Sequence, residues 1–343
     1  MKRITLRQLR VFEQVARLRS ISGAAGVCHL TQPAVSMQLK ALEQECELPL
    51  TEQVGRQLRL TEAGEAVALY ARRVQNEMDE LDQKLAAMRG QQQGKLNVGI
   101  VSTAKYFASH MLATFTQEHA GAELSLQVEN RAQILRMLGD NEIDIAIMGV
   151  PPESLDAVAV PFADHPHGIV LPADHPLATR SRLHISDFAD ATFLVREPGS
   201  GTRAVMERFF AGQSFSPRKV IQMTGNEAVK QAVLAALGIG FLSLNTIGLE
   251  RGLGLVHVPT IAGLPVVRTW HVVHRRGKQL LPIAQAFCDF VRDKGAAYAE
   301  ASSAPASRGA SAVPTRSIEK KRARNGKPKH PASRTRAPSK HRR

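Results

Sequence analysis

The stretch His29–Gln44, HLTQPAVSMQLKALEQ, decides how the rest of the chain is read. Thr31 has the side chain of a helix N-cap. Pro33 falls in the first turn, where its missing N–H is harmless. Val35, Leu39 and Leu42 then make one apolar stripe. Gln32, Ser36, Lys40 and Glu43 make a polar stripe on another face, with Pro33 and Met37 beside it. A lone helix of this kind is ordinarily a solvated surface helix. Three features around it favour contact with DNA. A second short helix over about 22–28, weakened by Gly23 and Gly26, precedes it across a tight turn, as in a helix-turn-helix unit. Its exposed positions carry Gln, Ser and Thr, which reach base edges and phosphates, rather than Glu–Lys pairs. Downstream, QVGRQLRLT suggests a hairpin turning near Gly55 with Arg56 and Arg59 on its arms, suited to a wing. Ahead of all this, Thr5 and Gln8 have capping-box spacing, with Leu6, Leu9, Phe12 and Ala16 at helical intervals behind them. Residues 1–60 therefore read as a winged helix-turn-helix, a helical domain with a small β wing.

Length and charge set the frame. The 343 residues allow two or three domains, with ordinary apolar content for a core. The net charge of +14 is concentrated: residues 301–343 hold 13 Lys/Arg against one acid, whereas residues 96–300 hold 18 against 19. The overall basicity is thus weak evidence for nucleic acid, and motifs must carry that case. Cys28, Cys46 and Cys288 lie far apart with no CxxC, which argues against a disulfide framework or zinc and fits a reducing cytoplasm. MKRITLRQLRVFEQVARL has no apolar core of a signal peptide, and no run of about 18 apolar residues offers a membrane span.

Residues 61–90 read as one long helix. Val67, Ala71, Val74, Met78, Leu81, Leu85 and Met88 alternate by four and three, a heptad seam suited to pairing two copies of the chain, with Glu77, Glu80, Asp82 and Lys84 off it. Packing of that seam on its own domain is the alternative. Gly90, three Gln and Gly94 form a hinge-like break.

Residues 96–300 alternate strands (LNVGIV, ELSLQVE, DIAIM, TFLVRE, KVIQM, GFLSL, TWHVVH) with helices over 105–119, 131–139, 202–211, 226–236 and 282–294. That is an α/β domain with mostly parallel sheets, in which ligands sit beyond strand C-termini where helix N-termini point. Three strand ends carry small polar residues: Ser102 and Thr103; Gly199, Ser200, Gly201, Thr202 and Arg203; and Thr224, Asn226 and Glu227. Each alone is a cap or a turn. Together they suggest an anion-binding cleft, with Arg203 as a bidentate ligand. The mundane alternative for Arg203 is an ion pair with Glu207. GSGTRA, with Glu227 about 25 residues on, also passes as a dinucleotide fingerprint. Pro198 before its first Gly, Arg203 inside it and its mid-chain place count against that. There is no GxSxG or HExxH, and DHPHG and ADHPL read as loop residues near Pro, so no enzymatic chemistry is expected.

LRQLRVFEQVARLRSISGAAGVCHLTQPAVSMQLKALEQECELPL, followed by GRQLRLTEAGE, resembles the N-terminal domain of LysR-type transcriptional regulators. The resemblance implies a helix-turn-helix at 21–40 that meets a double-stranded operator through Thr31, Gln32, Pro33, Ser36, Gln38 and Lys40, with Arg56 on the wing. It implies a linker helix that pairs two copies through Val67, Val74, Met78, Leu81 and Leu85. Thr51 and Gln53 stand where the family usually has Phe-x-Arg, which leaves the wing less well packed and one charge short. The region 96–300 is similar to the family's two-lobed effector domain, akin to periplasmic binding proteins, with one lobe over 96–162 and 268–296 and the other over 163–267. VSTAKYFA, NEIDIAIMG, FLVREPGSGTR and GLPVVRTWHVVH resemble the branch that activates RuBisCO (Calvin-cycle, CbbR-type) operons. That implies an anionic effector, either a phosphorylated metabolite or NADPH, held by Ser102, Thr103, Gly201, Thr202, Arg203, Asn226 and Glu227. It further implies a homodimer or homotetramer, contact with RNA polymerase and no bound cofactor. Another metabolic operon is the alternative within the family; a solute-binding protein or enzyme is the one outside it. Residues 301–343, rich in Ala, Ser, Pro, Lys and Arg, are expected to be a disordered basic arm that either holds DNA nonspecifically or only solubilises.

Overall fold

Thr5 starts the first helix as its spacing predicts. Its hydroxyl accepts from Gln8 N, and Gln8 Oε1 accepts in turn from Thr5 N at 2.7 Å. The structure, a computed structural model, describes residues 3–55, 57–89 and 94–304. Arg56, the break at 90–93 and the basic segment from 305 onward lie outside the described residues.

Helices α1 (Leu6–Leu18), α2 (Ile21–Cys28) and α3 (Gln32–Cys46) enclose Phe12, Val15, Ala24, Val35, Leu39 and Leu42. Strands β1 (Thr51–Val54) and β2 (Gln57–Leu60) pair antiparallel into the wing, turning at Gly55 with φ +63°. Glu43, expected on the solvated stripe of α3, is turned inward instead. Its carboxylate accepts from Leu50 N (2.9 Å), Thr51 N and the Thr51 hydroxyl, and so fixes the start of the wing. Thr51 thus anchors the wing by polar bonds. α4 (Glu62–Met88) follows at once. Gly64 lets it approach the Leu50 carbonyl so closely that a Cβ there would sit 1.9 Å from the oxygen.

The second half runs β3 (Lys95–Val101), α5 (Lys105–Glu118), β4 (Glu123–Glu129), α6 (Arg131–Gly139), β5 (Ile145–Met148), β6 (Ala157–Pro172), β7 (Thr192–Arg196), α7 (Gly201–Gly212), β8 (Lys219–Met223), α8 (Asn226–Leu234), β9 (Ile239–Ser243), α9 (Gly248–Gly252), β10 (Val256–His257), β11 (Val266–Arg275) and α10 (Pro282–Ser303). The sheet order is β4-β3-β5-β11-β6-β9-β7-β8, with β10 on β6. β3 is parallel to β4 and β5, and β7 to β8 and β9. These two parallel groups are the two lobes. β6 and β11 are antiparallel to each other over eleven and ten residues and pass from one lobe into the other. The sheet is therefore mixed where a mostly parallel one was expected.

Each lobe has its own core. Phe107, Phe115, Trp270 and Phe287 centre the first, and Phe188, Phe193, Phe210 and Phe241 the second. α10 continues to Ser303, past the 294 expected. Its last turn is held by Asn245, whose amide donates to Ala299 O (2.8 Å) and to Ser302 Oγ.

Candidate functional site

α3 presents its polar face to solvent. Thr31 caps it, accepting from Ala34 N. Gln32, Pro33, Ser36 and Lys40 are exposed, and Gln38 is half-buried. A tight turn joins this helix to α2, whose end at His29 takes the left-handed conformation (φ 52°). The face thus offers amide, hydroxyl and ammonium groups on a rigid helix beside a two-stranded wing, the shape that enters a major groove.

The seam of α4 divides along its length. Val67 and Ala68 pack on the core of α1–α3 and Ala71 is buried, so the first part of the seam is covered within the chain. Val74 is half-buried, while Met78, Leu81, Leu85 and Met88 are exposed. A further face of α4 docks on the first lobe. Arg73 donates to Asp140 (2.6 Å), Arg72 to Glu142 (3.0 Å) and Asn76 to Asp140 O, and Lys278 bridges Glu80, Asn141 and Asp144.

Between the lobes lies a cavity of about 110 Å³. Three helix starts face it. Ser102 and Thr103 precede α5, Asn130 caps α6 by accepting from Gln133 N, and Ser200 caps α7 by accepting from Arg203 N. Gly201 and Thr202 line it as expected. The lobes are fastened around it. Ala132 N donates to Gly199 O (3.2 Å), where Gly199 has φ +83° and lies too near Ala132 for a side chain. Tyr106 OH donates to Glu227 (2.9 Å), and Ser102 Oγ accepts from Arg196 and Asn226.

Charge enters the cavity from residues other than Arg203. Arg131, Arg196, Arg208 and Arg268 line it, together with His165 and His167. Arg196 is neutralised by Glu197 through two bonds of 2.8 Å and also donates to Asn226. Burial raises the Glu197 carboxyl, but Arg196 and the Gly225 N–H outweigh it and hold it at about 2. Among the described residues no carboxylate lies within salt-bridge distance of Arg131, Arg208 or Arg268. Burial, then the like charges of Arg268 and Arg208, lowers the proton affinity of Arg131. Burial pushes His167 down to about 4 and His165 well below its ordinary range, with Arg268 adding to both. Both histidines are therefore neutral at pH 7. His165 stacks on Trp270 at 3.6 Å and shares a hydrogen bond with Ser243 Oγ (3.0 Å). The result is a small, cation-rich site with neutral donors on its wall, suited to a compact anion carrying more than one charge.

Residues 6–65 match the bacterial regulatory helix-turn-helix protein, lysR family, and residues 89–296 match the LysR substrate binding domain. The chain belongs to the LysR family of transcriptional regulators. It is similar to the RuBisCO operon transcriptional regulator of Allochromatium vinosum, 44% identical over 293 residues that cover 85% of this chain and 97% of that protein. It is also similar to the solved CcmR regulatory domain of Synechocystis PCC6803 in complex with 2-PG, 37% identical with a TM-score of 0.56, covering 59% of this chain and 97% of that one. Full-length CbnR complexed with its target DNA has the same fold (TM-score 0.63, 22% identity, 84% of this chain and 99% of that one).

Within this LysR effector domain three expected ligands are elsewhere. Arg203 turns away from the cavity: Nε donates to Glu207 (2.7 Å), and Nη1 to Arg196 O and Gln222 (2.8 Å). Two residues inside α7, its side chain leaves on the outer face, while Gly201 and Thr202 face inward. The ion pair with Glu207 is the arrangement found. Asn226 and Glu227 do not line the cavity either; they brace Arg196 and Tyr106. Arg131, missed in the sequence, follows a capping Asn130 at a fourth strand end, VENRAQ, where the rule that found Ser102 and Ser200 applies equally. Arg268 and the two histidines lie on antiparallel strands. They meet through a register that sets Arg268 opposite His165, and local sequence does not reveal it.

Proposed function

We propose that this LysR-family regulator controls a carbon-fixation operon. On this reading a dimer or tetramer reads operator DNA through α3, with Thr31, Gln32, Pro33, Ser36, Gln38, Lys40 and, on the wing, Arg56 at the duplex. Pairing runs through the part of the α4 seam left uncovered within the chain, at half-buried Val74 and exposed Met78, Leu81 and Leu85. The protein acts in the cytoplasm, contacts RNA polymerase when it activates and catalyses no reaction. The identity to RuBisCO operon regulators supports the choice of operon.

The effector is a small phosphorylated carboxylic acid such as 2-phosphoglycolate, and one observation carries this: three arginines, Arg131, Arg208 and Arg268, converge on one cavity with no carboxylate partner among the described residues. The cavity of about 110 Å³ suits a compact dianion far better than NADPH, since drug-sized ligands occupy roughly 300–1,000 Å³. Helix N-termini at Thr103, Asn130 and Gly201 supply N–H donors to the same anion.

Calorimetric titration of the full chain with 2-phosphoglycolate, phosphoenolpyruvate, ribulose bisphosphate and NADPH tests it. The small acids should bind, and Arg268→Ala should weaken them at least about tenfold, since a charge-assisted hydrogen bond contributes roughly 1.5–3 kcal/mol. Arg203→Ala should leave affinity unchanged. Equal affinity in wild type and Arg268→Ala, or a weakening confined to Arg203→Ala, would reject this site.

A further inference from the structure

We propose that Met37 reads a thymine, through apolar contact with its C5-methyl group in the major groove. Met37 is 71% exposed, the most exposed large apolar side chain on α1–α3. At 3.6 residues per turn it lies roughly 190° around α3 from the centre of the buried Val35–Leu39–Leu42 stripe. It therefore stands at the middle of the outward face. Pro33 is one turn before it; Gln44, Lys40, Ser36 and Gln32 follow on one side in order toward the core, and Ala41 and Ala34 lie on the other. The first side is polar apart from Pro33 and wholly exposed, and the two alanines on the other are half-buried. An unbranched thioether left this exposed beside a polar strip gains little from the described core and has no solubility role.

The occupant follows from the chemistry of the groove. Of the four bases only thymine presents a methyl group there, and apolar side chains recognise it by contact. Gln32, Ser36 and Lys40 provide the hydrogen bonds and charge that a base edge and a phosphate need, so polar partners stand beside one apolar spot. Met37 is thus a specificity-determining residue: polar neighbours hold the helix in register, and Met37 selects A·T over G·C at one step.

The inference rests on α3 being the groove-reading helix, and the test separates the two. The full chain is used to enrich a duplex from a random-sequence library. Each thymine in the enriched site is then replaced in turn by deoxyuridine, which removes only the methyl group. One position in each half-site should weaken binding about fourfold, the factor for removing one buried methyl group. Met37→Ala should bind the parent duplex about fourfold more weakly as well and show no further weakening at that position, while keeping the other deoxyuridine effects. Met37→Leu should retain the discrimination. Since Met37 is solvent-exposed, melting temperature and oligomeric state should not change in either variant. An enriched duplex whose deoxyuridine profile is the same for wild type and Met37→Ala overturns the Met37 assignment and leaves α3 as the reader. A uniform weakening on all sequences, or a change in oligomeric state, overturns it in favour of a backbone contact or a second copy of the chain. Failure to enrich any sequence removes both readings.

Discussion

His165 and His167 stand in the wall of a cavity that also holds three arginines without carboxylate partners among the described residues, and their neutrality is built in by burial. His167 ordinarily takes a proton near 6.5, but in the fold only at about 4. Below 6.5 the unfolded chain binds a proton that the folded chain refuses, so folding stability falls by about 1.4 kcal/mol per pH unit for each such group. The penalty is absent above 6.5 and complete for His167 by about 4. His165 adds in the same direction. Glu197, held at about 2, stays charged throughout this window. Urea denaturation of the wild type should therefore show stability declining from pH 6.5 to 5, and His167→Asn should flatten the decline by about one proton. His175 and His271, both lowered by burial, remain in both proteins and cancel. An unchanged slope in the variant would mean that His167 does not face burial in the folded chain. The same histidines show the limit of sequence reading at this scale. DHPHG reads as a proline-flanked loop, and only the strand pairing turns it into a cavity wall.

At the scale of elements, α4 is the most legible in the sequence and also the least completely so. Its heptad spacing marks one continuous helix, and Glu62–Met88 is one. The spacing does not reveal that Val67 and Ala68 pack on α1–α3, because that cover depends on how closely Gly64 lets α4 approach the Leu50 carbonyl. What remains is a shorter apolar strip, with Leu81 46% exposed at its centre. Leu81→Glu should leave the chain folded, as the side chain is half in water already. It should nevertheless abolish pairing, since an unpaired charge buried in a helix seam is heavily penalised. Light scattering should then show monomers, and operator binding should drop with them; a variant that stays dimeric and binds would mean that the copies pair through another surface. β6 is the opposite case. Pro161 and Pro166 argue against a strand, because each lacks a ladder donor. Over 157–166, however, β6 pairs with β11 alone, so the proline nitrogens need no partner on the other side. The parallel strands of both lobes, with their apolar runs and polar ends, are plain in the sequence. The two antiparallel strands that join the lobes, and bring Arg268 to the site, are not.

At the scale of the whole molecule the charge is divided sharply. Residues 1–300 carry 32 Lys/Arg and 30 acids, whereas residues 305–343 carry 13 and one. A duplex approaching this protein meets residues 1–300 close to neutral overall, with local cations such as Lys40 and Arg59 near α3 and the wing. Most of the long-range attraction should then come from the basic segment. α10 runs to Ser303 and is pinned by Asn245, so truncation after Ala304 leaves every described hydrogen bond of the effector domain in place. Each phosphate that the truncated chain no longer neutralises should make the slope of log K against log salt shallower by about 0.9, because fewer condensed counterions are released on binding. Affinity should fall equally on operator and on random duplex, since phosphate contacts carry no sequence information. The ratio between the two affinities, set by α3, should stay constant, and so should effector binding at Arg268. Salt titrations of the full and truncated chains on both duplexes measure all of this together. An identical slope would show that the basic segment takes no part in DNA binding, and a fall in the affinity ratio would show that it helps to read sequence.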